Sequence, residues 1–196
     1  YLIGSMSFAI LVSRLRGVAD PREYGSKNPG ATNVFRSGDR VAGLLTFLGD
    51  FGKGYLSVFV TNSTSALLLD EKNALQVIIF VSLAVVLGHI YPIFHGFKGG
   101  KGVATTFGVL LAFSVVIGVI AAFIWLVSFF ITRVSGFAAV LTAFSIPILA
   151  YFIIDLDYFH DFWFVYGMIC LLSILLLLRH SDNIYALKKK FRLTKR

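Results

Sequence analysis

The chain has 196 residues, of which 57% are hydrophobic and 14% charged, with 18 lysine and arginine side chains against 10 acidic ones. A soluble domain is nearer one-quarter charged, so the composition excludes an ordinary soluble globule and predicts an all-α integral membrane protein. The single cysteine, Cys170, excludes an intramolecular disulfide and lies in an apolar run away from any histidine at metal-ligand spacing, so it reads as an inert buried thiol.

In chain order, the opening YLIGSMSFAILVS is apolar but too short to span a bilayer. It lacks a basic leader and a small-residue cleavage site, which fits a signal peptide poorly. The sequence is expected to start inside a first helix, with upstream residues absent. Seven apolar helices are predicted, over 1–16, 41–61, 74–94, 102–114, 116–132, 135–154 and 162–179. The apolar run from Gly102 to Thr132 would be ~46 Å long as one helix, against a hydrocarbon core of ~30 Å, so a break is expected between 113 and 118. Five or six helices with a tilted or re-entrant segment form the alternative.

Basic residues in short loops set membrane orientation. Arg14, Arg16, Arg22, Lys27, Arg36 and Arg40 follow the first segment, Lys98 and Lys101 the third, and Arg133 the fifth. Arg179 and the run Lys188, Lys189, Lys190, Arg192, Lys195 and Arg196 follow the seventh. The alternate loops hold Asp70, Glu71, Asp155, Asp157 and Asp161, with Lys72 the only base. The pattern predicts an outside N-terminus and a cytoplasmic C-terminus. The positive charge is assigned to topology and anionic lipid, with no nucleic-acid partner. A single polytopic domain over 1–196 is expected, with its informative loops, 20–40, 95–105 and 179–196, on the cytoplasmic face.

The first loop, GSKNPGATNVFR, gathers Ser26, Lys27, Asn28, Thr32, Asn33 and Arg36 around Gly25 and Gly30. Glycines let backbone N–H groups approach an anion, and arginine grips phosphate with two parallel bonds. The bland reading is a solvated turn built from ordinary turn formers, but a membrane loop needs no such donor density. In the second, GHIYPIFHGFKGGKGVATT, three residues separate Gly96 from Gly100-Lys101, and Gly102 stands where a nucleotide P-loop needs a hydroxyl. A phosphate site nonetheless fits: Gly99, Gly100 and Gly102 leave the backbone open where a helix N-terminus begins. Lys98 and Lys101 add charge, and Thr105 or Thr106 a hydroxyl. Headgroup anchoring explains the lysines but not the glycines.

His89 and Pro92 end the third segment, with His95 nearby, and no further metal ligand accompanies the two histidines. His89 reads as a structural side chain bonding a freed carbonyl. In RHSDNI, a continuing helix would put His180 and Asn183 on one face, after Arg179 as an anchor. Asp50 and Lys53, at i and i+3 in the second segment, read first as structural support. No H-x-x-x-x-D dyad, G-x-S-x-G elbow or obvious general base is found. An enzyme built this way would orient two anionic substrates rather than form a covalent intermediate.

Together, GSKNPGATNVFR, GHIYPIFHGFKGGKGVAT and RHSDNI resemble the three motifs of the bacterial acyl-phosphate:glycerol-3-phosphate acyltransferase family, PlsY, along essentially the whole chain. The resemblance implies transfer of a fatty acyl group from acyl phosphate to the 1-hydroxyl of glycerol 3-phosphate. The products are lysophosphatidic acid and inorganic phosphate, as the first acylation of phospholipid synthesis in the bacterial inner membrane. No cofactor or metal is implied, and the enzyme that forms acyl phosphate is a functional partner. By motif position the resemblance carries over Ser26, Asn28, Thr32, Asn33, Arg36, Lys101, His180 and Asn183. Lys101, Ser26, Arg36, His180 and Asn183 are read as catalytic. Asn28, Gly30, Thr32, Asn33, Lys98, Gly99, Gly100, Gly102 and Thr105 are read as substrate-binding. The rival classes, a phosphate-solute transporter and a basic scaffold, lack respectively a visible inverted repeat and any use for the glycine–lysine loop.

Overall fold

A computed structural model describes residues 1–154 and 162–185. The expectations resting on Asp155, Asp157 and Asp161, and on the basic run from Lys188 onward, lie outside the described residues. Every regular element among the described residues is helical, and the chain forms two compact units, Tyr1–Gly118 and Val119–Arg196.

In the first unit, α1 (Leu2–Ser5) and α2 (Phe8–Leu15) replace the continuous helix expected over 1–16. Met6 and Ser7 between them are extended, with ψ of 113° and 99°. The Met6 carbonyl at the break accepts from Lys53 Nζ at 2.7 Å. A neighbouring ammonium thus satisfies backbone that the bilayer interior could not. Gly4 and Gly88 bring α1 against α5 (Glu71–Ile90): an ideal Cβ on Gly4 would stand 2.2 Å from the Val85 carbonyl oxygen.

Between them α3 (Ala31–Val34) closes the first loop, and α4 (Arg40–Leu68) starts at Asp39, whose carboxylate accepts the Ala42 N–H at 2.9 Å. The expected end of α4 was 61, but the helix continues for seven further residues. The polar stretch TNSTS bonds its own backbone: Thr61 donates to the Ser57 carbonyl at 2.7 Å and Thr64 to Val60 at 2.9 Å. Hydroxyls satisfied inside the helix give its polar end no reason to unwind.

The long apolar run divides into α6 (Val103–Phe113) and α7 (Val115–Thr132), with the break at Ser114, inside the stretch where the length argument put it. Ser114 Oγ accepts the Ile117 N–H at 3.4 Å, and Gly118 leaves room for Leu111, whose Cα would stand 2.4 Å from a Cβ there. Helices α4 and α6 pack through glycines, as helices do in lipid. An ideal Cβ on Gly54 would lie 2.2 Å from the Thr105 carbonyl oxygen, and one on Gly108 2.1 Å from that of Phe51.

This crossing makes a direct prediction. Gly54→Ala forces the two helices apart and should cost about 2 kcal/mol or more, read as a lower melting temperature. Gly52→Ala has nothing within 4 Å of the new methyl and should be neutral or stabilising by up to ~1 kcal/mol. Equal effects at the two positions would contradict the close crossing.

In the second unit α8 (Ser135–Ile153) and α9 (Phe162–Arg179) pack together, and the buried residues include small ones such as Ala139 and Ala143 in α8 and larger ones such as Met168 and Leu172 in α9. The stretches Glu71–His95, Val115–Thr132, Ser135–Ile153 and Phe162–Arg179 are long and apolar enough to cross a membrane. Large apolar side chains face outward, among them Phe80 and Trp163, each 71% exposed, as a lipid-facing surface requires.

Candidate active site: two interlocked loops and a third motif

The first loop is tied together by one amide. Asn33, 2% exposed, donates from Nδ2 to the Pro21 carbonyl at 2.7 Å and the Tyr24 carbonyl at 3.1 Å. Its Oδ1 accepts from the Ser26 N–H at 3.0 Å and from Arg36 Nη1 at 3.4 Å. Gly25 has φ +56°, and a Cβ there would stand 2.3 Å from Asn33 Oδ1, so only glycine fits. The amide is fully committed to protein partners. Its role in this structure is to set Ser26 and Arg36, both exposed together with Thr32. Asn28 accepts the Gly30 N–H on its carbonyl at 3.0 Å, shaping the turn into α3, whose start at Gly30 is extended.

Ion pairs brace the loop. Arg22 donates to both oxygens of Asp20, with Nη2 to Oδ2 at 2.6 Å, and this guanidinium holds the Asp20 carboxyl below its usual range. The Ala42 N–H, with the Arg16 guanidinium at 3.0 Å, does the same for Asp39.

The second loop is stitched to the end of α5. A helix leaves its last carbonyls without intrahelical donors; here Gly99 N–H donates to the Ile90 carbonyl at 3.2 Å and Gly100 N–H to that of His89 at 3.1 Å. One expectation changes as a result. The Gly99 and Gly100 N–H groups bond protein carbonyls rather than standing open to an anion, and the carbonyls of His89 and Ile90 are met by the loop. The glycines also have a packing reason: a Cβ on Gly99 would lie 2.1 Å from the His89 carbonyl oxygen. Gly102, at φ +89°, turns the chain into α6. The first three N–H groups of that helix, on Val103, Ala104 and Thr105, have no intrahelical acceptor. Lys98 is exposed and Lys101 half-buried beside them, whereas Thr105 is fully buried under α4.

The two loops meet at one point: a Cβ on Gly100 would lie 3.0 Å from the Pro29 carbonyl oxygen, which brings the backbone next to Lys101 against the loop that carries Ser26, Thr32 and Arg36.

The third motif lies in the second unit. Helix α9 ends at Arg179, where the span over 162–179 was expected to end; His180 is a turn residue and helix resumes over 181–185. In that turn the His180 N–H donates to the Leu177 carbonyl at 3.1 Å, and the ring, 2% exposed, places Nδ1 2.8 Å from the Leu176 carbonyl oxygen. A carbonyl oxygen can only accept, so Nδ1 is the donor in this contact. Asn183 is half-buried and packs on Gly136, where a Cβ would stand 2.2 Å from Asn183 Nδ2.

Sequence reasoning missed the His89 environment. Lys53 Nζ lies 2.8 Å and His89 Nδ1 3.4 Å from the same Asp50 oxygen. The i, i+3 pair in α4 was the available signal; nothing in the spacing tied it to α5.

These elements define a multi-pass helical membrane protein. The profile of the family described as "Glycerol-3-phosphate acyltransferase" matches residues 1–190, and the chain belongs to that family. The glycerol-3-phosphate acyltransferase of Ralstonia pickettii is 42% identical over 184 residues, covering 94% of this chain and 84% of the relative. That of Paraburkholderia phymatum is 53% identical over 128 residues, 65% of this chain, and the match spans about 59% of the relative's length. Among solved structures, PlsY (YgiH), an integral membrane glycerol 3-phosphate acyltransferase, is 34% identical. Its glycerol 3-phosphate form superposes with a TM-score of 0.84 over 97% of this chain and 88% of that one. Its lysophosphatidic acid form gives 0.82.

Proposed function

We propose that the protein transfers a fatty acyl group from acyl phosphate to the 1-hydroxyl of glycerol 3-phosphate. The observation that carries the reading is the meeting of the two loops in the first unit. Between them the two loops carry Arg36, Ser26 and Thr32 on one side and Lys98, Lys101 and a helix start on the other, a donor set suited to phosphate groups. The glycerol 3-phosphate and lysophosphatidic acid forms of PlsY support a phosphate acceptor and a lipid product.

Acyl phosphate is a mixed anhydride, so phosphate leaves without a serine nucleophile on the protein. The glycerol hydroxyl oxygen attacks the acyl carbon, the bond from that carbon to the phosphate oxygen breaks, and the hydroxyl proton goes to a phosphate oxygen. Lys101 and the start of α6 hold one phosphate, and Arg36, Ser26 and Thr32 grip phosphate from the first loop. Charge is thereby stabilised as it shifts to the leaving group, and the reactants are aligned. His180 and Asn183 are assigned the orientation of glycerol 3-phosphate on motif resemblance alone. The acyl tail lies in an apolar groove open to the bilayer. About seven crossings, an outside N-terminus and residence in the bacterial inner membrane complete the reading, with the acyl-phosphate-forming enzyme as functional partner.

The donor is tested by offering purified protein glycerol 3-phosphate with acyl phosphate, acyl-CoA or acyl carrier protein thioester. Lysophosphatidic acid should form only with acyl phosphate; equal rates with a thioester would overturn the assignment.

A further inference from the structure

Asp50, Lys53 and His89 form a charged cluster that the proposed chemistry leaves unused, and they are only 2%, 5% and 7% exposed. Burying such groups is expensive even when they are paired, and two parts of the cluster have separate outlets. Lys53 reaches the Met6 carbonyl at 2.7 Å and supports the broken first helix. His89 turns its Nδ1 to Asp50 at 3.4 Å, and its opposite edge covers Gly100, where an ideal Cβ would stand 2.2 Å from Nε2 and 2.9 Å from Cε1. The main chain of the same histidine accepts the Gly100 N–H at 3.1 Å. Gly100 is thus held from its ring side and its backbone side by one residue. It also borders Pro29 of the first loop and directly precedes Lys101.

We propose that Asp50 and His89 are a positioning pair for the transfer reaction. The carboxylate fixes the imidazole, the imidazole fixes Gly100, and Gly100 sets Lys101 and the register of the second loop against the first. This inference rests on the reading that the second loop holds a substrate phosphate. The competing account is that the cluster only stabilises the helices. Displacement of a binding group by about 1 Å costs on the order of a hundredfold in rate, so the two accounts differ measurably.

Two readouts separate them. In melting temperature, Gly100→Ala should be costly in the parent protein and cause little further loss in a His89→Ala background, because the ring that the new methyl strikes is gone. Residues in contact are non-additive in this way. Costs that simply add would overturn the contact. In kinetics, Asp50→Asn keeps the side-chain shape and should raise KM for one phosphate substrate by about tenfold or more, leaving KM for the other within about twofold. His89→Gln, which keeps a polar group at the site, should recover part of the activity lost in His89→Ala. Unchanged KM values with a lower apparent kcat, the pattern of a smaller folded fraction, would overturn the positioning role while the parent protein still catalyses acyl transfer. A parent protein with no such activity would overturn the functional reading and the positioning role with it, while the melting cycle would still decide the contact.

Discussion

Replacing Lys101 by alanine is expected to lower kcat/KM for acyl transfer by about a hundred- to a thousandfold, the range for loss of one charge-stabilising donor from a preorganised site. Lys101 stands between Gly100, whose N–H is bound to the His89 carbonyl at 3.1 Å, and Gly102, whose φ of +89° opens α6. Its backbone is therefore fixed on both sides, which sets the point from which its four-carbon stem reaches the start of α6. The same geometry makes Lys101→Arg a partial substitute: charge is kept, but a planar fork replaces a compact ammonium. A melting temperature close to that of the parent should accompany the loss. Near-normal turnover in Lys101→Ala would remove this residue from the mechanism.

The second large effect is expected from Asn33→Asp. The new carboxylate would face the Pro21 and Tyr24 carbonyl oxygens that Nδ2 now serves at 2.7 and 3.1 Å. The Tyr24 carbonyl keeps the Lys27 N–H at 2.9 Å, but the Pro21 carbonyl loses the Asn33 donor, so a destabilisation of about 1–3 kcal/mol is expected, the cost of one buried acceptor left unserved, confined to the first loop if the helices hold. Activity should fall by about a hundredfold or more, because a carboxylate repelled by those carbonyls moves away and takes with it the Oδ1 that anchors both Ser26 and Arg36. A residue that only touched substrate would behave differently, with KM raised and the melting temperature unchanged. Measuring both quantities on one preparation separates the two roles.

The contrast between Lys101 and Asn33 shows where the sequence was legible. Helix positions followed from apolar length: the expected spans 135–154 and 162–179 correspond to Ser135–Ile153 and Phe162–Arg179. Hydrophobic runs in lipid have little choice of structure, so composition alone decides them. The bounds of the donor-rich loops were legible too, because glycine, proline and polar side chains punctuate the apolar runs on either side.

What remained hidden was the partner of each group. Asn33 and Arg36 look alike as donors in the sequence, yet one amide is buried in the loop and the other side chain is exposed. Gly99 and Gly100 looked like open backbone, and instead their N–H groups close the end of α5. The break at Met6–Ser7 had no signal in a run of apolar residues; its carbonyl is met by Lys53 from 47 positions away. The His180 ring likewise bonds back to the Leu176 carbonyl. Each of these is a tertiary or side-chain bond that periodicity does not encode.

The central claim is that two phosphate-bearing substrates react at the loop cluster of the first unit. It is tested most directly by following inorganic phosphate release from acyl phosphate by the purified protein, with and without glycerol 3-phosphate. The account predicts release that depends on glycerol 3-phosphate and matches lysophosphatidic acid formed mole for mole. Release that proceeds equally without glycerol 3-phosphate, or no release at all, would contradict it.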